Sequence, residues 1–497
     1  MKLSGPRAPI IANVSPFIPL SLIGVFSTLQ LLLGASPTIV AMCAVAVAIP
    51  FLHLSYCGRD LYGVLGIGFC MQYPGMALVA KTLYGQTLES NLFDANATFS
   101  LILLLMLVLT AMLIVARALD RGEAFFQFPT DLLTLRRLSS ACIFIGIIGN
   151  ALFSVKQPNS ENASPGGAFV VLGSAVRDFY YLGLIAETVY AIIKTGGRTF
   201  ITKRLVVLFL IQVIFSISYN ERGQIVACVI GIVTTAFLYN TIYIRHIIVG
   251  ILASIFFVYV FTPITIYLRL NRGGVSVTEF AERAVSTFTK ALTDPEYLKN
   301  LTEAEKYINY IDMKALVPYD YFGNRSDILD RLTWVGLVDA AYNGIRTRKP
   351  IGMEGIEQSL ARIAPGFLGY DKGITTIGPG DWLSWQTGLS EPGRVYFAVF
   401  GLPMEGLASW GLAGMIVYPF IFMLPVLVLC GRLSSLRQAL PVSIYLFVDT
   451  QHMMLEGTSD VFLAWATRNL PVVFLLLFAL HYLYRPRDGV PAPAIFK

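Results

Sequence analysis

Apolar positions along this chain come in long uninterrupted runs rather than in the short alternations of a soluble core. The runs are about 17 to 25 residues each. They fall at 11–33, 37–56, 61–80, 98–116, 138–155, 172–193, 204–219, 223–240, 246–267, 403–430, 438–455 and 468–484. At a helical rise of about 1.5 Å per residue, such a run crosses roughly 30 Å of hydrocarbon. The pattern predicts an all-α, polytopic membrane bundle of about twelve transmembrane helices. The leading sequence MKLSGPRAPI has no small-residue cleavage site behind a short apolar core, so the first run is expected to stay in place as a span.

One stretch departs from this pattern. Residues 268–395 hold 15 Lys and Arg with 16 Asp and Glu, which predicts a large, mostly helical loop folded outside the bilayer. It divides the chain into spans one to nine (1–267), the loop (268–395), and spans ten to twelve with a tail (396–497). Val277, Phe280, Ala281, Ala284, Phe288, Ala291 and Leu292 recur at helical spacing and predict an amphipathic helix lying on the bilayer or on the bundle. Ser326 and Asp327 are placed to cap a second helix carrying Ile328, Leu332, Val335 and Val338. A third is expected over Gly352–Ile363, stopped by Pro365. The Gly- and Pro-rich segment Pro365–Gly393 predicts an irregular ordered loop.

Composition sharpens the membrane reading. Hydrophobic residues make up 55% of the 497 positions and charged residues 14%, the reverse of what a water-facing surface requires. Lys and Arg sort between alternate loops. One set holds Lys2, Arg7, Arg59, Arg117, Arg121, Arg136, Arg137, Lys194, Arg198, Lys203, Arg204, Arg245, Arg432, Arg437, Arg485, Arg487 and Lys497. The other short loops offer Lys81, Lys156, Arg177, Arg222 and Arg468. The positive-inside rule therefore puts both termini in the cytoplasm. The formal charge of +6 is accounted for by loops facing anionic lipid, without a nucleic-acid partner. All six cysteines lie in or beside spans, which argues against a disulfide framework. No P-loop, HExxH or paired CxxC occurs, so no metal site or cofactor is expected.

Charge at the membrane edge needs a reason, because an Arg in a span costs on the order of 3 kcal/mol. Arg177, Arg222 and Arg269 all come out at the outer membrane level, with Arg272 just beyond. A structural account pairs Arg177 with Asp178 and Arg222 with Glu221, and lets Arg269 and Arg272 snorkel. The functional account has guanidinium forks holding a membrane-embedded diphosphate. The last outer turn adds His452, Glu456, Asp460 and Arg468, either as a salt-bridged connection or as a site where a carboxylate or His452 accepts a proton from a sugar hydroxyl, with Arg468 a further candidate diphosphate ligand beside Arg272. In the loop, Phe367, Tyr370, Trp382 and Trp385 stand among Asp371, Asp381 and Glu391. That mixture suits a sugar, whose faces stack and whose hydroxyls donate, or equally an aromatic belt at the interface.

From about residue 170 to 480 the chain resembles the O-antigen and enterobacterial common antigen polymerase family. The resemblance is carried in order by VRDFYY, ERGQIVACVIGI, YLRLNRGG, LARIAPGFLGYDK, GLPMEGLASWGLAGMIVYPFIF and LEGTSDVF. It implies a glycosyltransferase-C-like fold in a bacterial inner membrane and an enzyme that joins undecaprenyl-diphosphate-linked repeat units into O-antigen, capsule or exopolysaccharide. It also implies a lipid-linked glycan flippase and a chain-length regulator as companions. The resemblance carries diphosphate binding onto Arg177, Arg222 and Arg269, and Glu456 and Arg468 fall where the family keeps an acidic residue and an Arg. Counted from Arg394, Gly406 falls one residue beyond the family's arginine-to-glycine spacing, so Arg394 receives no ligand role. The leaving group is a diphosphate, and fixed cations would stabilise its growing charge. His452, Glu456 and Asp381 are the candidate bases, with Trp382, Trp385 and Tyr370 as sugar contacts. An O-antigen ligase acting on lipid A core and a lipid-linked glycan transporter are the rivals; transporters tend toward repeated halves with charge at the bilayer midplane, whereas here the unusual charges gather at the outer edge.

The orientation is checked with reporters. Alkaline phosphatase fused after Thr293 is expected to be active, and a fluorescent protein fused after Lys497 is expected to glow in the cytoplasm; the opposite pair of results reverses the topology.

Overall fold

Helix occupies each of the twelve apolar runs, and no strand occurs among the described residues. The computed structural model describes residues 17–154, 168–219, 222–270, 277–303, 321–323, 333–364, 378–393 and 400–484. The first half comprises α1 (Phe17–Leu32), α2 (Pro37–Cys57), α3 (Leu61–Leu83), α4 (Ala95–Leu119) and α5 (Leu132–Ser154). Next come α6 (Ala168–Arg177), α7 (Phe179–Thr195), α8 (Lys203–Tyr219), α9 (Arg222–Leu238), α10 (Ile244–Phe256) and α11 (Thr262–Leu270). The loop region contributes α12 (Val277–Thr293), α13 (Val335–Arg346), α14 (Glu354–Ile363) and α15 (Pro379–Thr387). The chain finishes with α16 (Leu402–Leu433), α17 (Pro441–Glu456) and α18 (Ser459–Tyr484).

Seven helices among the described residues are long and apolar enough to cross a membrane, the make-up of a multi-pass membrane protein. They are α2, α3, α4, α5, α10 with its continuation, α16 and α18. The other five runs are shorter: α1 and α17 have 16 residues, α8 and α9 have 17, and the sixth run is broken at Asp178 into α6 and α7.

Two spans differ in extent from the sequence reading. The last begins at Ser459, nine residues ahead of the expected 468, so Asp460 and Arg468 ride on the spanning helix itself. The tenth is a hairpin: Trp410 leaves helical geometry and Gly411 takes φ +62°. A Cβ on Gly414 would stand 1.9 Å from the Gly406 carbonyl oxygen. Eight residues of straight helix would separate these two by about 12 Å, so the leg starting at Leu402 folds back along the leg beyond Gly411.

Hydrogen bonds tie helix ends in two sets. At one end Arg117 Nε meets Asp60 at 2.6 Å, Ser435 donates to Asp120 at 2.9 Å, and the Phe126 amide donates to the Leu433 carbonyl at 2.9 Å. At the other, the loop end, Asp339 is buried on α13 and accepts from the Phe93 amide (2.7 Å), the Asp94 amide (3.0 Å) and the Thr98 hydroxyl (2.8 Å). It thereby fixes the two residues that lead into α4 and the Thr98 side chain of its first turn. Lys81, near the end of α3, is also buried, donating to the Ser90 carbonyl and hydroxyl and to the Tyr321 carbonyl, with its ammonium 3.9 Å from the Tyr321 ring centre.

The loop helices α13 and α15 are therefore part of the bundle's core. Trp334, Val335, Val338, Ala341, Trp382 and Leu383 belong to the same continuous apolar cluster as Phe99 and Tyr418. The amphipathic helix forms as expected at α12 and sits on α11 through Ala284 and Ala291, in a small cluster with Ile264, Leu268 and Leu301. The third loop helix also forms, at α14. Of the second helix, Val335 and Val338 lie on α13, whereas Ser326, Asp327, Ile328 and Leu332 lie outside the described residues. The irregular segment expected over Pro365–Gly393 contains a helix, α15. Pro379 occupies its first turn, where a missing N–H costs nothing, and Gly388 closes it in the left-handed region at φ +78°. The residues taken as breakers are its start and its stop.

Asp339→Ala is expected to strip three hydrogen bonds from a buried site and to lower stability by roughly 2–3 kcal/mol, read as an earlier thermal unfolding transition of the detergent-purified protein. An unchanged transition would mean that α13 does not hold the start of α4.

Candidate functional site

Glu405 sits on the first leg of the α16 hairpin in an otherwise apolar segment, and it is buried. A buried carboxylate needs donors. Ser459, the first residue of α18, supplies two: its amide donates to one carboxylate oxygen at 2.7 Å and its hydroxyl to the other at 2.5 Å. The arrangement also sets a negative charge against the positive end of a helix dipole.

α14 closes the cluster from the loop side. Gly355, Ser359 and Arg362 share one face of this helix by their spacing. A Cβ on Gly355 would lie 3.3 Å from a Glu405 oxygen, so glycine lets α14 approach. Ser359 and Ser459 hydroxyls are 2.8 Å apart. The Arg362 guanidinium lies 3.6 Å from the Asp460 carboxylate, with both side chains largely buried at 13% and 16% exposure. Burial pushes the Arg362 pKa below its ordinary value, and neighbouring Asp460 and Glu405 act against that push. Thr458 donates to the other Asp460 oxygen at 2.6 Å. Arg468, eight residues beyond Asp460 on α18, donates to the carbonyls of Arg362 (3.0 Å) and Ile363 (3.3 Å), which closes the C-terminal end of α14. Two guanidinium groups and two carboxylates thus meet at the loop end of the bundle, drawn from three elements.

The residues singled out in the sequence divide as follows. His452 and Glu456 come together at the end of α17, with Nδ1 and carboxylate 3.5 Å apart and the imidazole 75% exposed. Only Gly457 and Thr458 separate Glu456 from Ser459, so this pair adjoins the buried cluster. A carboxylate beside an accessible imidazole can orient it as a base. Arg468 serves the cluster through backbone carbonyls. Arg177 ends α6, where its guanidinium lies 4.1 Å from the Phe153 ring centre and 3.8 Å from Asp178. It is set there by close packing, since a Cβ on Gly149 of α5 would meet the Arg177 amide nitrogen at 2.2 Å. The ion pair with Asp178 is the one that the structural account expected.

Asp381 and Trp382 lie in the first turn of α15, and both are buried, at 1% and 6% exposure. The Trp382 ring is packed into the core beneath Gly355 rather than spread as an open platform. Trp385 is half-buried on the same helix, and its carbonyl accepts from Arg348 at 2.8 Å. Arg222 opens α9 and Arg269 lies in α11, but their side chains, together with Arg272, Tyr370 and Arg394, lie outside the described residues. Among the described residues no group of three or more His, Cys, Asp or Glu is arranged to hold a metal ion.

Sequence reasoning missed Glu405, Ser459, Ser359 and Arg362 as a group. Glu405 did carry a signal: a lone carboxylate in GLPMEGLASWGL has no local partner, and an ionisable residue in a spanning segment points to a site. Arg362 carried none, because it looks like any cation on an amphipathic loop helix. Comparison of the chain with protein-family models, with curated proteins and with solved structures finds no match.

The Arg362–Asp460 contact is testable by a double-mutant cycle. Arg362→Ala alone leaves Asp460 without its cation and is expected to destabilise more than the double variant with Asp460→Asn, with a coupling of about 1–3 kcal/mol. Additive losses in thermal or denaturant unfolding would show that the two side chains do not interact.

Proposed function

We propose that this protein is an integral membrane glycosyltransferase that polymerises undecaprenyl-diphosphate-linked oligosaccharide repeat units. The observation that supports the reading is the joined cluster at the loop end, where Arg362, Arg468, Glu405, Asp460 and Ser459 converge beside the His452–Glu456 pair. In this reading the bundle crosses a bacterial inner membrane about twelve times in a glycosyltransferase-C-like arrangement, with both termini cytoplasmic and the loop end outside. Both substrates are lipid-borne and arrive at that end.

The reaction breaks the bond between the reducing-end sugar of one glycan and its diphosphate and forms a glycosidic bond to a hydroxyl of the incoming unit. The hydroxyl proton passes to a base and undecaprenyl diphosphate departs. His452, turned by Glu456, is the base this reading favours, since Asp381 is buried. Arg177, Arg222, Arg269 and Arg272 would carry the charge of the diphosphate, with Arg468 holding α14 against α18. Stabilising a developing anion with fixed donors requires neither nucleotide nor metal. A flippase and a chain-length regulator are the proposed companions.

Purified protein in liposomes, supplied with lipid-linked repeat units alone, is expected to produce a ladder of polymer. A ligase needs lipid A core and would give none, and a flippase would move the units without joining them. Arg177→Ala, Arg222→Ala and Arg269→Ala are each expected to slow polymerisation by about a hundredfold to a thousandfold, while the protein still accumulates in the membrane. Wild-type polymer from all three variants would remove the diphosphate assignment.

A further inference from the structure

At the end of the bundle opposite the docked loop helices, α5, α7 and α8 meet around one buried carboxylate. Glu187 of α7 accepts from Arg136 Nη1 of α5 at 2.8 and 3.1 Å, from Arg204 Nη1 of α8 at 3.0 Å and from the Thr202 hydroxyl at 3.1 Å. Arg204 Nη2 donates in turn to the Ser140 hydroxyl of α5 at 2.9 Å. Both guanidinium groups are thereby fixed, yet both reach the surface, with side chains 43% and 25% exposed. A third cation adjoins them. Tyr190 and Lys194 follow Glu187 on one face of α7, and the Tyr190 ring centre lies 5.3 Å from the Arg136 guanidinium and 5.5 Å from the Lys194 ammonium.

Charge at this notch does not balance. One carboxylate meets three cations, and the connection from α7 to α8 adds Arg198 and Lys203 without any acidic residue. Asp131, just ahead of α5, is engaged by the start of that helix, where it accepts from the Thr134 amide at 2.9 Å. Arg136 meets Glu187 through a single nitrogen, and its Nε and Nη2 have no hydrogen-bond partner among the described residues, so N–H groups stay open for an anion.

Below the notch the two flanking helices turn apolar side chains outward. Phe144 and Ile148 continue from Ser140 down α5, and Val207, Leu210 and Ile214 continue from Arg204 down α8; all of these are exposed. Both helices start at this end, so the rows run from the Arg204–Ser140 contact over about 12–15 Å of depth. Surplus cations above two apolar rows match the outline of a phospholipid, and basic pockets between helix ends are where anionic headgroups lodge. A zwitterionic lipid would bring its own cation to a site where cations are already in excess.

We infer that the notch formed by α5, α7 and α8 is a specific binding site for an anionic membrane phospholipid, its phosphate held by Arg136, Arg204 and Lys194 and its acyl chains laid along the exposed rows of α5 and α8. The inference goes beyond the polymerase reading and does not depend on it, since it concerns the end of the bundle that the reaction does not use.

The test is titration of the full-length, delipidated protein in detergent, read by native mass spectrometry. Three probes are used: dioleoylphosphatidylglycerol, dioleoylphosphatidylcholine, and glycerophosphoglycerol, which is the anionic headgroup without its chains. Dioleoylphosphatidylglycerol is expected to bind at least about tenfold more tightly than either of the others. Arg136→Gln leaves Arg204 to neutralise Glu187 and should weaken that binding about tenfold. Lys194→Gln, at an exposed position outside the ion pairs, should weaken it about threefold, and it carries the test if Arg136→Gln lowers the thermal unfolding transition. Arg432→Gln removes an exposed cation at the same end of the bundle but on α16, and should change binding by less than about twofold, because a charge outside the notch is screened. The inference is overturned if the phosphatidylcholine or the free headgroup binds as tightly, if neither notch variant weakens binding, or if Arg432→Gln costs as much as they do, which would leave only diffuse attraction to a basic end.

Discussion

A charged or hydrogen-bonding group inside an apolar helical bundle has no water to fall back on, so each one has to find its partner within the protein. That constraint decides which helices are neighbours here. Glu187 is fully buried on α7, and its carboxylate is met by Arg136 of α5 at 2.8 Å, by Arg204 of α8 at 3.0 Å and by the Thr202 hydroxyl. Asp449, deep in α17, takes the indole N–H of Trp465 from α18 at 2.7 Å. Glu405 takes Ser459, and Asp339 takes the amides of Phe93 and Asp94 just ahead of α4. Apolar packing alone would let helices slide or rotate; these polar contacts have one register each.

The same rule explains why the large loop is docked rather than suspended. The buried Lys81 ammonium donates to carbonyl and hydroxyl oxygens and lies against the face of Tyr321. The partners come from the loop that follows α3 and from the region near residue 321, so burying one cation pins two connections together. Glycine supplies the closeness elsewhere. Gly149 brings α5 against Arg177, Gly355 brings α14 against Glu405, and the Gly406–Gly414 contact folds the α16 hairpin. A hairpin at that point turns what would be the mouth of a span into a short helix carrying a carboxylate inward. The candidate site is built at the seam between loop and spans because that is where such a carboxylate meets a helix N-terminus.

In the proposed reading, the protein needs charge fixed at the membrane edge. The cluster around Glu405 and Arg362 would supply it with balanced, mutually fixed groups, while the exposed His452 imidazole lies beside Glu456. Fixed groups of this sort lose little on reorganisation when charge develops beside them.

Run length by itself determined that the chain is an all-helical, membrane-type bundle, because hydrocarbon thickness and helical rise are constants that any sequence must meet. The amphipathic α12 and the helix α14 were equally legible, since their periodicity is local. Near neighbours were legible too, as in Arg177 with Asp178 and His452 with Glu456. What only the tertiary structure decided was everything that depends on partners far apart in the chain. Glu405 with Ser459, Arg362 with Asp460, Arg468 with the end of α14, and the burial of Trp382 all bring together side chains from separate elements, and no spacing along the sequence encodes the approach of one element to another. The helix α15 belongs with them: Pro379 and Gly388 read as breakers in one dimension, and they become a start and a stop only once the segment between them has a core to pack against.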